Sequence, residues 1–402
     1  MTRQRPVPPH RGPARNIADM EARARRRLPA PIWHYLQGGA DDEWTFARNS
    51  DAFDQVALVP RVLADVSAVD ASAPLMGERH SLPLMLSPTG MSQLFHAQGE
   101  MAVARAAAAE GVLYSLSTMA TTAIEQAARA GGSRLFQLYW FKDRGLTEEL
   151  LQRAEAAGYG ALCLTVDTHV LGNRERDLAT GMTLPPRFTL GSLLDFAAHP
   201  RWVLPALFGR PFDLANVAHR APSVAKARMA VITYINGQID RSVGWRELDW
   251  LRARWKGRLL VKGVSAPEDA ARAVRAGCDG VMISNHGGRQ LDGCVSPIEQ
   301  LPLIREAVGP GAALIVDGGV RRGTHVLKAL ALGADACSIG RPYLYGLAAD
   351  GERGVRRVIQ IFREEIERGL ALMGCADVRA LSPRHLRRLA ATTSNPIREA
   401  CP

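Results

Sequence analysis

The stretch LLVKGVSAPEDAARAVRAGCDGVMIS, residues 259–284, holds one complete structural unit. Leu259–Lys262 is a short apolar run that reads as a buried strand. Pro267–Ala276 is rich in Ala and Arg and opens on a proline, which suits the first position of a helix. Ala276-Gly277 is a typical helix end, and Gly280–Ser284 is apolar again. Strand, helix, strand implies two parallel strands joined by a crossover. Outward from this unit the same rhythm recurs from Pro83 on. Further strands are expected at Leu84–Ser87, Val112–Leu116, Leu135–Tyr139, Ala161–Val166, Ala313–Asp317 and Ala336–Ile339. Helices are expected at Gly99–Glu110, Ala120–Ala130, Thr147–Ala157, Pro297–Val308 and Thr324–Leu332. Eight such units in 402 residues point to an α/β chain closed as a (β/α)8 TIM barrel. An open doubly wound sheet is the alternative. It would be expected to carry GxGxxG after its first strand, where this chain has Pro88-Thr89-Gly90.

Before the repeat, Ile17–Leu28, a segment around Ile32–Leu36 stopped by Gly38-Gly39, and Asp41–Phe53 read as an N-terminal helical extension, with a strand at Val56–Arg61. The domain expected spans 17–386, between a disordered tail over 1–16 and a C-terminal tail over 387–402. A helix is expected over Val355–Met373. The rhythm breaks between Asp167 and Leu259, after the fourth strand, where an insertion centred on 180–235 far exceeds an ordinary loop. Pro185–Met229 combines Leu193, Phe196, Trp202, Leu204, Leu207, Phe208 and Phe212 with an excess of arginines. Such a mixture suits an anionic membrane surface, and equally a lid or a subunit contact.

The loops that follow the strands build the active site of such a barrel. After the sixth strand comes Ser284-Asn285-His286-Gly287-Gly288-Arg289. A histidine takes up a proton near neutral pH, and an arginine grips a carboxylate in two places. Together they suggest proton abstraction beside a carboxylate. A capping histidine with a solvated arginine would be the ordinary alternative, but the other strand ends supply partners. Asp167 ends the fourth and could orient the imidazole. Ser117, Gln137 and Thr165 offer neutral donors and acceptors that suit a flat heterocycle such as a flavin. Lys262 ends the fifth strand, where it would favour a reduced ring, form an ion pair with Asp317, or act as a Schiff-base lysine. Asp317-Gly318-Gly319-Val320-Arg321 and Gly340-Arg341 end the last two strands, where phosphates commonly bind in this fold.

Hydrophobic residues make up 47% and charged residues 22%, as in ordinary soluble proteins. The net charge is +10, without a nucleic-acid or zinc-finger motif, so a nucleic-acid partner is not expected and no metal site is read. The six cysteines are scattered without a CxxC pair, which favours a reducing compartment over a disulfide framework. The Pro/Arg-rich first fifteen residues lack the apolar core of a signal peptide, and no apolar run reaches the ~20 residues of a spanning helix.

SNHGGRQLDG, together with LTVDT, LVKGV, FQLY and DGGVRRG, resembles the FMN-dependent (S)-2-hydroxy-acid dehydrogenases and oxidases over about Ala18–Leu386. Gly172–Asp177 and His199-Pro200-Arg201-Trp202 are most similar to mandelate dehydrogenase and its membrane-associated bacterial relatives. The resemblance implies an FMN cofactor and oxidation of a small mandelate- or lactate-like 2-hydroxy acid. His286 would be the base, held by Asp167. Arg174 and Arg289 would bind the substrate carboxylate with Tyr35, and Tyr139 the hydroxyl. Pro88, Thr89, Gly90, Ser117, Gln137, Thr165, Lys262 and Ser284 would hold the flavin, Lys262 also serving catalysis. Asp317, Gly318, Gly319, Arg321, Gly340 and Arg341 would hold its phosphate end. Two departures stand out: Met119 replaces the tryptophan of glycolate oxidase, and Gly90 replaces the alanine common in oxidases. In the family that glycine accompanies dehydrogenases passing electrons to a quinone or other acceptor. The resemblance also implies a homotetramer in the cytoplasm, peripheral to the inner membrane where the insertion binds it, with a soluble oxidase that reduces oxygen to peroxide as the alternative.

Overall fold

The computed structural model describes residues 12–183, 187–221 and 228–389. Eight parallel strands close on themselves: β1 Leu84–Leu86, β2 Leu113–Ser117, β3 Arg134–Leu138, β4 Ala161–Thr165, β5 Arg258–Val264, β6 Gly280–Ser284, β7 Ala313–Asp317 and β8 Ala336–Ile339. Their order around the barrel is the order of the chain, and β8 pairs with β1, Cys337 lying opposite Leu84. The open sheet is thereby excluded.

Period-2 alternation sorts the strand residues into two sets. Leu84, Leu116, Phe136, Leu162, Val261, Ile283, Val316 and Ile339 belong to the large core between the sheet and its helices. Met85, Leu113, Leu135, Ala161, Cys163, Leu260, Met282, Ile315 and Ala336 form a separate apolar cluster inside the barrel. A hairpin unseen in the sequence, Ala73–Leu75 with Glu78–His80, adds Leu75 to that inner cluster and closes the end where the strands begin. Further along, the same inward positions turn polar: Ser87, Ser117, Gln137, Thr165, Lys262, Ser284, Asp317 and Ser338. The barrel thus has an apolar floor and a polar mouth.

The expected helices over Gly99–Glu110 and Pro297–Val308 are observed with those bounds. That over Ala120–Ala130 shortens to Ile124–Ala128, because Ala120–Ala123 belongs to the turn leaving β2. The C-terminal helix runs from Arg341 to Leu372, broken at Asp350-Gly351, where Gly351 adopts φ 58°. Val56–Leu58 does form a strand, paired antiparallel with Leu386–Arg388, so ordered chain continues past 386. At the other end Ala14 is buried and accepts from Arg357; the tail expected over 1–16 lies outside the described residues up to position 11.

The insertion contains helices Leu190–Ala198, Pro200–Phe208, Arg228–Gln238 and Trp245–Arg254. The first two pack inward through Phe196 and Trp202. Trp202 Nε1 donates to Leu94 O at 2.8 Å, and Arg210 Nη2 to Thr121 O at 2.7 Å. Their other side is bare: Leu190 is 81% and Phe208 83% exposed, with Leu194, Leu204 and Leu207 beside them. Among the described residues no helix is long and apolar enough to cross a membrane.

Candidate active site

The polar mouth is held by a chain of side-chain hydrogen bonds. Ser117 Oγ donates to Gln137 Oε1 at 3.0 Å, and Gln137 Nε2 to Thr165 Oγ1 at 2.9 Å. Lys262 Nζ donates to Ser284 Oγ at 3.2 Å and lies 3.4 Å from Asp317 Oδ2. Ser284 and Ser87 donate to the two oxygens of Asp317, each at 2.7 Å. The ion pair foreseen as an alternative for Lys262 therefore exists, and it sits within the site. Burial opposes the ammonium, but Asp167 and Asp317 outweigh it and raise its pKa. A firmly protonated amine is no nucleophile, which argues against the Schiff-base reading.

At the end of β6 the backbone turns sharply, with His286 at φ 58° and Gly287 and Gly288 also at positive φ. A Cβ at Gly288 would lie 2.6 Å from Phe46 N, so only glycine lets this loop pack on the N-terminal extension. Asn285 and Asn49 exchange two amide hydrogen bonds of 2.7 and 2.8 Å across the same contact. His286 Nδ1 lies 2.9 Å from Asp167 Oδ1. A carboxylate can only accept, so Nδ1 carries the proton and Nε2 is the free lone pair. Burial lowers the histidine's pKa below its ordinary value, Asp167 partly opposing and Lys262 and Arg174 reinforcing the shift. Burial likewise works against the charge on Asp167, yet His286 and Lys262 prevail and keep its carboxyl below the usual range. The pair rests as neutral imidazole beside carboxylate, the state required of a base.

Two half-buried arginines flank the base. Arg289 Nη1 donates to Tyr35 O at 2.8 Å and Gly38 O at 2.9 Å, which leaves its Nε/Nη2 edge without a protein acceptor among the described residues. Burial, and then Arg174, push its pKa down to about 10. Arg174 Nε is buried without a partner among the described residues. Tyr139 stays protonated, its pKa raised by burial to about 12. Arg341 is tied to Leu36 O, Gly287 O and Gly38 O at 3.2, 2.9 and 2.9 Å, and burial pushes it down to about 9. It keeps two of five N–H donors. Crowded cations of this kind are relieved by an anion.

One cavity of about 1120 Å³ joins these groups. Of the residues singled out from the sequence, Tyr35, Pro88, Thr89, Gly90, Ser117, Tyr139, Arg174, Lys262, His286, Arg289, Asp317, Gly318, Gly319, Arg321, Gly340 and Arg341 line it. Asp167, Gln137, Thr165 and Ser284 do not. They stand one layer behind, bonded to His286, Ser117, Gln137 and Lys262 respectively. Sequence reasoning missed Ser87 and Ser338, though both continue the inward alternation, and Tyr343, which bonds Thr89. It missed Gln290, whose amide joins Asp167 O at 2.7 Å and Val170 O at 2.8 Å. Glu100 was also missed. Wholly buried on a helix, it accepts from Ser92 N, Thr121 N and the hydroxyls of Thr121 and Thr122, tying together the loops after β1 and β2.

The cavity fits FMN. Neutral donors line its middle. At its far end Gly318 and Gly319 adopt φ 137° and 75°, and a Cβ at Gly319 would stand 1.8 Å from Asn49 O. Bare backbone beside Arg321 and Arg341 suits a phosphate. Such a barrel mouth belongs to oxidoreductases that use a planar, phosphate-bearing cofactor. Residues 24–388 match the model of the FMN-dependent dehydrogenase family. Glycolate oxidase 1 of Oryza sativa subsp. indica is 41% identical over 376 residues, 93% of this chain and 96% of that one. A putative L-lactate dehydrogenase of Mycobacterium tuberculosis (strain ATCC 25618 / H37Rv) is 40% identical over 380 residues, 94% of this chain and 90% of that one. The crystal structure of the monotopic membrane protein (S)-mandelate dehydrogenase superposes with a TM-score of 0.90 at 40% identity, covering 94% of this chain and all of the other. A soluble mutant of the membrane-associated (S)-mandelate dehydrogenase from Pseudomonas putida gives 0.79 at 38%, covering 93% of this chain and 99% of that one. The chain belongs to the FMN-dependent dehydrogenase family, and FMN is its cofactor.

Proposed function

We propose that the protein oxidises an (S)-2-hydroxy acid with an apolar side chain, mandelate- or lactate-like, to the 2-oxo acid. The carrying observation is a neutral, carboxylate-backed imidazole in one cavity with a guanidinium edge that lacks a protein acceptor. Arg289 and Arg174 grip the substrate carboxylate, bidentately where the free Nε/Nη2 edge allows it. Tyr35 lies under that grip, with Arg289 Cζ 5.1 Å from its ring centre. Tyr139, protonated throughout, donates to the substrate oxygen. His286 Nε2 removes a proton, and the imidazolium is stabilised by Asp167 at 2.9 Å. Lys262 stands between two carboxylates, Asp167 and Asp317, a trio with one excess negative charge. Uptake of the proton by His286 cancels that excess. FMN, when bound, accepts the two electrons.

The insertion supports a seat on a membrane. Its two helices close the cavity from one side, where Phe196, Trp202 and Val203 line it, and turn Leu190, Leu194, Leu204 and Phe208 to solvent. Phe188, Leu193 and Leu207 are both lining and exposed, so the cavity opens through an apolar rim. We place this rim on an anionic bilayer, at the cytoplasmic face of the inner membrane, and take a quinone as the electron acceptor. The assembly proposed is a homotetramer, as the family resemblance implies. Oxygen as acceptor is the second reading, favoured by the likeness to glycolate oxidase.

The test is anaerobic bleaching of the yellow protein by a panel of (S)-2-hydroxy acids, with His286→Ala as control. Wild type should bleach, and the variant should keep its flavin yet slow by orders of magnitude. A protein that no member of the panel bleaches would overturn the reading. Stoichiometric peroxide under air would select the oxidase, and reduction of a quinone in vesicles the dehydrogenase.

A further inference from the structure

Asp177 takes no part in the roles above. It lies in the first turn of the helix Glu175–Thr180, which Arg174 caps. Its residue is only 8% exposed, yet it lines the active-site cavity. Among the described residues its Oδ1 has no hydrogen-bond partner, and no ion pair joins it to either guanidinium of the substrate grip. The groups acting on it come from three elements: Arg289 from the loop after β6, Arg174 from its own helix cap, and His34 from the helix Ala30–Gln37. Burial raises its pKa, and the two guanidiniums, with His34 behind them, oppose the rise; burial lowers the pKa of His34 itself, so it adds no standing charge. A buried carboxyl facing a cavity with an open oxygen is costly unless it serves that cavity.

We propose that Asp177 is a specificity-determining residue that sets the substrate subsite to accept monocarboxylates and reject 2-hydroxy dicarboxylates. The inference rests on Arg174 and Arg289 being the carboxylate grip. Two guanidiniums and one carboxylate leave the subsite one positive charge in excess. One substrate carboxylate cancels it. A second carboxylate on the substrate side chain would enter a desolvated space with no cation left over and Asp177 already there. Like charges so placed reject the wrong ligand more than they aid the right one. Without Asp177 the subsite carries two excess positive charges, matched to a dianion.

The experiment compares reduction of the bound FMN by (S)-2-hydroxybutanoate and (S)-2-hydroxybutanedioate, ligands of equal chain length that differ by one charge. In Asp177→Asn the kcat/KM ratio of dicarboxylate to monocarboxylate should rise about tenfold or more. Asp177→Glu should restore the wild-type ratio, which loss of packing alone would not predict. A ratio in Asp177→Asn within about twofold of wild type overturns the proposal. Should the Asn variant fail to hold flavin, the wild type still decides. Butanoate should perturb its flavin spectrum at lower concentration than succinate, and the reverse order overturns the proposal. Failure of wild type to be reduced by any monocarboxylate would instead remove the carboxylate grip itself.

Discussion

Replacing Asp167 by Asn tests the base most directly. Asn keeps an acceptor 2.9 Å from His286 Nδ1 but removes the charge. Two unit charges at that separation interact by about 6 kcal/mol at an effective dielectric of 20, an upper bound before desolvation is subtracted. Net values for hydrogen bonds to charged groups are about 1.5–3 kcal/mol. The imidazole is neutral before reaction and charged after it, so most of that difference falls on the barrier. We expect kcat to fall about tenfold to a hundredfold. The pH profile should move the other way. Neutral His286 is the competent form, so kcat/KM falls as pH drops through its pKa, which lies below the ordinary 6.5. Asp167 raises that pKa. Its removal therefore shifts the acid limb to lower pH while the plateau drops. Stopped-flow bleaching under nitrogen at a series of pH values reads both quantities. A variant reduced at the wild-type rate, or an acid limb displaced upward, would refute the assignment of Asp167.

Arg289→Lys should lose most of its kcat/KM, because an ammonium cannot bond Tyr35 O and Gly38 O and still present a two-toothed edge; steady-state kinetics checks this, and full activity would count against the carboxylate role. Glu100→Ala strands two backbone N–H groups and two hydroxyls in the core, at about 1–3 kcal/mol for each group left unpaired. Urea denaturation should show a loss of about 3 kcal/mol or more. Leu194→Glu with Phe208→Glu changes two exposed side chains of the insertion without touching the cavity wall; sedimentation with anionic vesicles should weaken while bleaching by substrate persists. Unchanged sedimentation would remove the membrane seat.

Much of this site was legible before folding because parallel strands carry their chemistry at their ends. SNHGGRQ after β6 and DGGVRR after β7 follow apolar runs whose length and position are plain in the chain. The period of two then predicts which polar residue of each strand points inward, and the mouth follows. Ser87 and Ser338 obey the same rule.

Other contacts join residues too far apart in sequence for any local pattern to show. Asn49 meets Asn285 across 236 positions, and Glu100 holds loops from two different units. Gln137, Thr165 and Ser284 belong to the site by position, yet only packing shows that they brace the cavity wall rather than form it. The insertion's composition predicted an apolar, basic segment. Which of its side chains face the cavity and which face solvent depended on where Trp202 found an acceptor at Leu94. Local sequence thus determined the strands, the turns and the chemical kind of each strand end, because those follow from backbone periodicity and residue type. The tertiary structure alone decided that His286 is paired with Asp167 and that Arg289 and Asp177 keep open edges toward one cavity, because burial and a neighbour's charge act through space and not along the chain.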